Sequence, residues 1–247
     1  MYVCVAGKNQ CSIDFVKFIL KKIKKKNVLI LPNKSDNGVD TWQPSLKKFA
    51  KKNNLQITSL KKIYLITKII FISIEFEKII KPNKFLSKKL FNFHFSLLPK
   101  YRGCHTNFFQ IYNGEKYSGV TLHKIDDGID TGPIIDKIKF PIKPNTTSYM
   151  NYLNLMKYSL KLLKLNFNKL LNDNYILKRQ NDKNASYFSR NSVNYKKMKY
   201  FNLQKLNKKT LHKINAFIFP PFQLPIINNK IVKRIIINKK GYKILYG

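Results

Sequence analysis

The sequence predicts an α/β fold with a mostly parallel sheet and a small C-terminal β-hairpin. Three observations carry that expectation. Tyr2–Ala6, Asn27–Leu31 and Ile69–Ile74 are short apolar runs that read as buried strands. Segments of helical character lie between such runs, which implies βαβ units and a largely parallel sheet. At the end of the chain, Lys230–Ile237 and Tyr242–Tyr246 flank Asn238-Lys239-Lys240-Gly241, the layout of a hairpin with a Gly-containing loop.

The elements follow in order. Tyr2–Ala6 is the first strand, Gly7-Lys8-Asn9-Gln10 is a turn, and Ser12 is placed to cap a helix running to about Lys26. Asn27–Leu31 is a second strand, stopped by Pro32. Pro44 or Ser45 begins a helix through about Asn53, and Gln56–Thr58 forms a short third strand. Ile69–Ile74 is the fourth strand and Phe91–Phe95 the fifth, with a turn at Lys81-Pro82-Asn83 between them. Thr106–Asn113 is helical and ends at Gly114. Gly119–Ile125 and Ile134–Phe140 are strands. Thr146 to about Leu171 is a long amphipathic helix with Leu153, Met156, Leu160, Leu163 and Phe167 on its apolar face. Beyond Asn181 the character changes. Ala185–Arg190 is extended, Leu206–Ala216 is helical, and Phe217–Pro225 is an aromatic and proline-rich run before the hairpin. The expected organisation is one domain over 1–190 and an extension over 191–247 that serves nucleotide contact and dimerisation.

A chain of 247 residues buries a proper core without staples. Cys4, Cys11 and Cys104 make no even disulfide framework and read as reduced thiols of a cytoplasmic protein. No apolar run is long enough to span a bilayer. The formal net charge is +36, and of 48 Lys and Arg only four are Arg, leaving 44 Lys. RNA-reading surfaces lean on Arg as well as Lys, since the guanidinium stacks and forks. The Lys excess, with abundant Asn and Ile, is therefore read as compositional drift on solvated faces. The field it creates still attracts phosphorylated or carboxylated small molecules.

The residues that can carry chemistry lie between Asn92 and Ile135. If Asn92-Phe93-His94 is extended, period two puts the amide and the imidazole on one face at a strand end, where open α/β sheets keep their ligand crevices. A loop follows in which Gly128 and Gly132 bracket Ile129-Asp130-Thr131. Acyl transfer to an amine needs a donor for the developing oxyanion, a base near neutral pH, and a carboxylate that fixes the imidazole tautomer. Asn92, His94 and Asp130 supply these without a covalent intermediate. Ser96 lacks a nucleophile-elbow context and reads as a turn cap. His105, His123 and His212 read as structural histidines, and Asp126 and Asp127 as turn carboxylates.

Two blocks then carry a resemblance. Asn92-x-His94-x-Ser96-Leu97-Leu98-Pro99-x-Tyr101-Arg102-Gly103, followed by Gly119-Val120-Thr121-Leu122-His123-x-Ile125-Asp126-x-Gly128-Ile129-Asp130-Thr131-Gly132, resembles the N10-formyltetrahydrofolate-dependent formyltransferases. That family includes methionyl-tRNA formyltransferase, glycinamide ribonucleotide transformylase and the sugar N-formyltransferases. The resemblance implies a Rossmann-like catalytic domain and direct formyl transfer to an amine with no metal. It implies Asn92, His94 and Asp130 as the catalytic residues. Phe95 stands where the tRNA and purine members usually have Pro. Leu31–Lys34, Asp40–Ser45, Phe71–Pro82, Ser118–Asp126 and Phe217–Pro225 resemble the members acting on dTDP-4-amino-4,6-dideoxyhexoses, which serve O-antigen or other surface-glycan synthesis.

On that resemblance the co-substrate is N10-formyltetrahydrofolate, with its pterin beside Gly128, Ile129, Thr131 and Gly132. The partners are a dTDP-amino sugar and folate, with no nucleic acid and no membrane insertion. A pyrophosphate needs cations or free amides at a helix start. Lys8 and Asn9 stand at such a start, and Lys78 and Arg102 are further candidates, although Lys8 by itself reads as a solvated lysine. Phe219, Phe222 or Tyr246 offers a thymine an aromatic face. The same aromatic run serves equally as a hydrophobic seam, and the C-terminal hairpin points to a homodimer. The alternatives are a methionyl-tRNA formyltransferase-like enzyme and a non-catalytic basic RNA-binding protein.

Overall fold

The computed structural model describes every residue of 1–247 except 203, 205, 206, 208, 209, 221, 239 and 240. The chain divides into two compact units, 1–94 with 120–138 and 157–183, and 95–119 with 139–156 and 184–247.

In the first unit, strand β1 (Tyr2–Gly7) is followed by α1 (Asn9–Ile19), β2 (Val28–Pro32), α2 (Leu46–Lys52), β3 (Gln56–Ile57), α3 (Leu60–Tyr64), β4 (Ile69–Ile74) and β5 (Leu90–His94). Pairs β2–β3, β1–β2, β1–β4 and β4–β5 are all parallel. These strands are Val- and Ile-rich because both faces of the central ones are covered. Cys4, Ala6, Leu29, Leu31, Ile69, Phe71 and Leu90 pack on one face with Ile63, Ile80 and Phe85. Each fully buried Leu, Ile or Phe among them contributes about 1.5–3 kcal/mol. Phe15 of α1 meets Phe93 edge-on, with ring centroids 4.9 Å apart. A Cβ on Gly7 would overlap the Ile74 carbonyl, so the end of β1 admits only glycine beside β4.

Strands β6 (Arg102–Gly103) and β7 (Tyr117–Lys124) enclose α4 (Thr106–Tyr112), and β8 (Ile134–Pro141) and α5 (Ser148–Leu171) follow. Among the described residues the large sheet has the order β3-β2-β1-β4-β5-β7-β8. Strand β7 pairs antiparallel with β5, placing His123 opposite Asn92 and Thr121 opposite His94. The sheet is thus mostly parallel, as expected, and β7 runs antiparallel to the strand carrying Asn92.

The second unit continues with β9 (Tyr187–Phe188), α6 (Tyr195–Met198), β10 (Tyr200–Phe201), α7 (Leu211–Phe217), β11 (Ile226–Ile227), β12 (Lys230–Asn238) and β13 (Gly241–Tyr246). Strands β12 and β13 form the expected antiparallel hairpin. The expected helix start at Leu206, Pro221 of the aromatic run and Lys239-Lys240 of the hairpin loop lie outside the described residues.

Several expectations are corrected. The compact units interleave along the chain, with 184–247 grouped with 95–119 and 139–156. Phe108, Phe109 and Ile111 of α4 share a core with Ala216 and Phe217 of α7, which ties 95–119 to the C-terminal region. Ser12 does not cap α1, which begins at Asn9 after Lys8; Ser12 is fully buried inside it. Helix α1 also stops at Ile19, short of Lys26. Helix α3, between β3 and β4, was not expected. The buried residues of α5 include Ser148, Asn151, Tyr152, Leu155, Ser159, Leu162, Leu163, Asn166, Phe167 and Leu170, while Leu153 is 40% exposed. Ser45 does cap α2, accepting from the Lys48 amide at 2.9 Å. The three cysteines are free thiols, Cys4 and Cys11 buried and Cys104 half-buried.

Candidate active site

Asn92, His94, His123 and Asp130 converge in the first unit. Period two on β5 sets Asn92 and His94 on one face, and the antiparallel register brings His123 across from Asn92. Asp130 reaches them from the loop after β7, with its backbone left-handed at φ 56°. Few residues other than Gly hold that conformation readily, Asp and Asn among them. The loop is closed by Thr131 Oγ1 donating to Asp126 Oδ1 at 2.7 Å and by the Lys124 amide donating to the Pro133 carbonyl at 2.9 Å. A Cβ on Gly132 would overlap the Lys124 carbonyl, so glycine is required where the loop returns past β7.

The Asp130 carboxylate is shared. Its Oδ2 lies 3.4 Å from His94 Nδ1, and its Oδ1 accepts from Asn92 Nδ2 at 3.1 Å and lies 3.5 Å from His123 Nε2. Asn92 Nδ2 is also 3.1 Å from His123 Nε2. His123 Nδ1 faces the Lys124 carbonyl at 2.9 Å. A carbonyl only accepts, so this nitrogen carries the proton and Nε2 accepts from Asn92. The two amide hydrogens of Asn92 then serve His123 and Asp130. A carboxylate at His94 Nδ1 selects the Nδ1–H tautomer, leaving Nε2 as the nitrogen for a reacting group. His94, His123 and the Asp130 side chain are 7%, 2% and 13% exposed, so these contacts are little screened by water.

His123 was expected to be structural, yet its ring belongs to this cluster, with its centroid 6.5 Å from that of His94. The available signal was alternation in β7, which puts Thr121 and His123 on one face. What the sequence lacks is the register that sets this face against Asn92.

The remaining expected residues take these places. Gly128, Ile129, Thr131 and Gly132 share the loop of Asp130; Gly128 and Ile129 are exposed and Gly132 is buried. Lys8 stands between β1 and α1 as the N-cap, and Asn9, left-handed at φ 64°, opens α1. Burial alone would raise the Glu77 carboxyl. Hydrogen bonds from the Ser35 hydroxyl and the Lys34 and Ser35 amides, with the Lys8 charge, outweigh that and hold it below the ordinary range. Lys8 therefore acts toward a carboxylate of its own chain. Lys78 is exposed. Arg102, Phe219 and Phe222 belong to the second unit. Arg102 is nearly buried in β6. Phe219 is buried against Tyr149 and Tyr152, at centroid distances of 5.3 and 5.6 Å. Phe222 stacks on Phe219 and is 65% exposed. Among the described residues no helix is long and apolar enough to cross a membrane.

This chain is similar to several known proteins. It is 42% identical to the N-formyltransferase from Helicobacter canadensis, solved with folinic acid and dTDP-3-aminofucose. That similarity has a TM-score of 0.91 and covers 96% of this chain and 88% of that one. It is 44% identical to WlaRD, a sugar 3N-formyl transferase solved in the presence of dTDP and 5-N-formyl-THF, with a TM-score of 0.92, covering 97% of this chain and 87% of that one. A methionyl-tRNA formyltransferase from Clostridium tetani is 29% identical over 76% of this chain, which spans 65% of that relative's length. The formyl transferase family model matches residues 18–161, more than half of the chain and including Asn92, His94, His123 and Asp130. The matched span and the converged cluster lead to one conclusion: this chain belongs to the formyl transferase family.

Proposed function

We propose that this chain is a folate-dependent N-formyltransferase acting on a dTDP-linked amino-dideoxyhexose. The observation that carries the reading is the cluster in which Asp130 lies 3.1 Å from Asn92 and 3.4 Å from His94. Support for the substrates comes from the two structures more than 40% identical to this chain, one solved with folinic acid and dTDP-3-aminofucose and one with dTDP and 5-N-formyl-THF. The sugar bound in the first carries its amine at C3, and the second is a sugar 3N-formyl transferase. The 3-amino isomer is therefore the first acceptor to test, beside the 4-amino isomer to which the sequence motifs point.

The acceptor amine attacks the formyl carbon of N10-formyltetrahydrofolate and the carbonyl oxygen becomes an oxyanion. His94 Nε2 polarises that oxygen and assists proton movement, Asn92 donates to it, and Asp130 orients His94 and helps take the amine proton. Collapse breaks the carbon–N10 bond, and the proton lost by the amine ends on N10 of tetrahydrofolate. Asn92 uses its hydrogens on His123 and Asp130, so donation to the oxyanion replaces one of those bonds. The pterin is assigned to the Gly128–Gly132 loop. Lys8, Asn9, Lys78 and Arg102 are proposed pyrophosphate contacts, and Phe222 with Phe219 behind it a proposed face for the base. The product belongs to surface-glycan synthesis in the cytoplasm. A homodimer through the hairpin, whose Tyr242 and Tyr246 are exposed, is the proposed assembly, readable by light scattering.

The test is one assay. Purified protein is incubated with N10-formyltetrahydrofolate and, separately, dTDP-3-amino- and dTDP-4-amino-dideoxyhexoses, glycinamide ribonucleotide and Met-tRNA. Tetrahydrofolate release and acceptor mass are followed. The expected result is a formyl mass gain on a dTDP-amino sugar alone. A gain on Met-tRNA instead would overturn the acceptor assignment, and no gain on any acceptor would overturn the activity.

A further inference from the structure

We propose that Gln180 is a positioning residue that holds the Asp130 loop in its reactive shape. The inference rests on the formyl-transfer reading only for its kinetic consequences. Asp130 is a non-glycine residue in the left-handed region, which Asp adopts more readily than most residues but at a cost that neighbouring contacts must offset. Three features fix the ends of this loop: the Thr131–Asp126 bond, the Lys124–Pro133 backbone bond and the close approach at Gly132. None of them fixes the Asp130 peptide itself. Gln180 does. Its Nε2 donates to the carbonyls of both Asp130 and Gly132, each at 2.8 Å.

The placement follows from the backbone. After α5 ends, the chain returns beside β8. Lys178 and Ile134 form an antiparallel bridge, with both reciprocal amide–carbonyl bonds at 2.8 Å. Continuing that register by two residues sets Gln180 opposite Gly132, and its side chain spans to the next carbonyl but one. The site calls for an amide of this length. One nitrogen with two hydrogens satisfies two carbonyls at once, and Gln180 is only 7% exposed, so water does not readily replace it. A carboxylate in its place would set oxygen against two carbonyl oxygens. The consequence runs through Asp130. Its Oδ1 and Oδ2 must reach Asn92 and His94 together, and a displacement of about 1 Å costs on the order of 100-fold in rate.

The experiment uses the full-length protein with N10-formyltetrahydrofolate and the dTDP-amino sugar that the wild type accepts. Gln180→Ala is expected to lower kcat about 10- to 100-fold while KM for the sugar stays within about twofold. In an Asp130→Asn background the same change is expected to cost almost nothing more, because both act through one carboxylate. Gln180→Glu, of the same size, is expected to lose at least as much. Its rate relative to wild type should rise as pH falls, because a protonated carboxyl regains one donor. A residue with only a structural role would lower the melting temperature by the same amount in wild type and in Asp130→Asn and leave kcat of the folded enzyme unchanged; that pattern overturns the proposal. A second arm needs no substrate. Amide hydrogen exchange across residues 126–134 is expected to quicken about 10-fold or more in Gln180→Ala, with the rest of the sheet unchanged. Unchanged exchange there overturns the clamp even if the enzyme is active. A wild type inactive on every acceptor overturns the formyl-transfer reading and leaves the exchange arm to decide the clamp.

Discussion

Removing the His94 ring and removing the Asp130 charge test two halves of one contact. His94→Ala is expected to lower kcat about 10²- to 10⁴-fold, the usual worth of a positioned acid–base group. Asp130→Asn is the better partner variant, because Asn tolerates the left-handed backbone at φ 56° that Ala does not. It should also cost at least about 10²-fold, with circular dichroism and melting temperature near wild type in both; near wild-type turnover in either would remove the residue from the mechanism. His123→Phe keeps a ring of similar shape but deletes the acceptor for Asn92. A lost hydrogen bond of about 1 kcal/mol predicts roughly a fivefold to tenfold fall in kcat, nearly absent in an Asn92→Ala background. Three of these four residues were legible in the sequence. Asn92 and His94 lie two apart on a strand end, and Asp130 sits between two glycines. His123 was not, because its role depends on β7 running antiparallel to β5 in one register, and neither strand's own sequence states its partner.

Elements show the same division between local and tertiary signals. Ser45 was legible as a helix start because capping is local: a hydroxyl acceptor, a break at Pro44, then apolar spacing. Ser45→Ala is expected to cost about 1 kcal/mol, lowering the melting temperature by about 2–4 °C in a chain of this size, as calorimetry would read. Ser12 looked equally suitable and is not a cap, because the chain already turns at Asn9. It is fully buried beside Gly7, where an added Cβ would meet Ser12 Oγ. The face of α5 was read only in part, with Leu163 and Phe167 on it, for a related reason. Ser159 and Asn166 stand on its buried side, Asn166 donating to Asp136 at 2.8 Å, so polarity pointed away from the true core stripe. Polar residues with internal partners are the standing blind spot of a hydrophobic period.

For the whole molecule the dominant number is the charge, +36 over 247 residues. It does not determine the fold, but its field reaches any anionic substrate. A dTDP-sugar carries a pyrophosphate and folate carries carboxylates. With exposed charges screened beyond about 10 Å at 0.1 M salt, kcat/KM for the dTDP-sugar is expected to fall as sodium chloride rises, through KM with kcat steady. A flat profile would return the lysines to composition alone. The parallel sheet and the C-terminal hairpin were legible in the sequence, whereas the division into two units was not. Core sharing between α4 and α7 joins segments about a hundred residues apart, and no boundary drawn along the sequence expresses that. The three thiols have a practical consequence at this scale. Burial pushes Cys4 up, and burial with the charges of Glu75 and Asp14 pushes Cys11 up, so neither offers a thiolate to a reagent. Cys104 alone is half-buried. Native protein should accept one maleimide and unfolded protein three, countable by intact mass. The wild-type chain thus carries its own single attachment point for a fluorophore or spin label, one residue past β6, with no cysteine removed to create it.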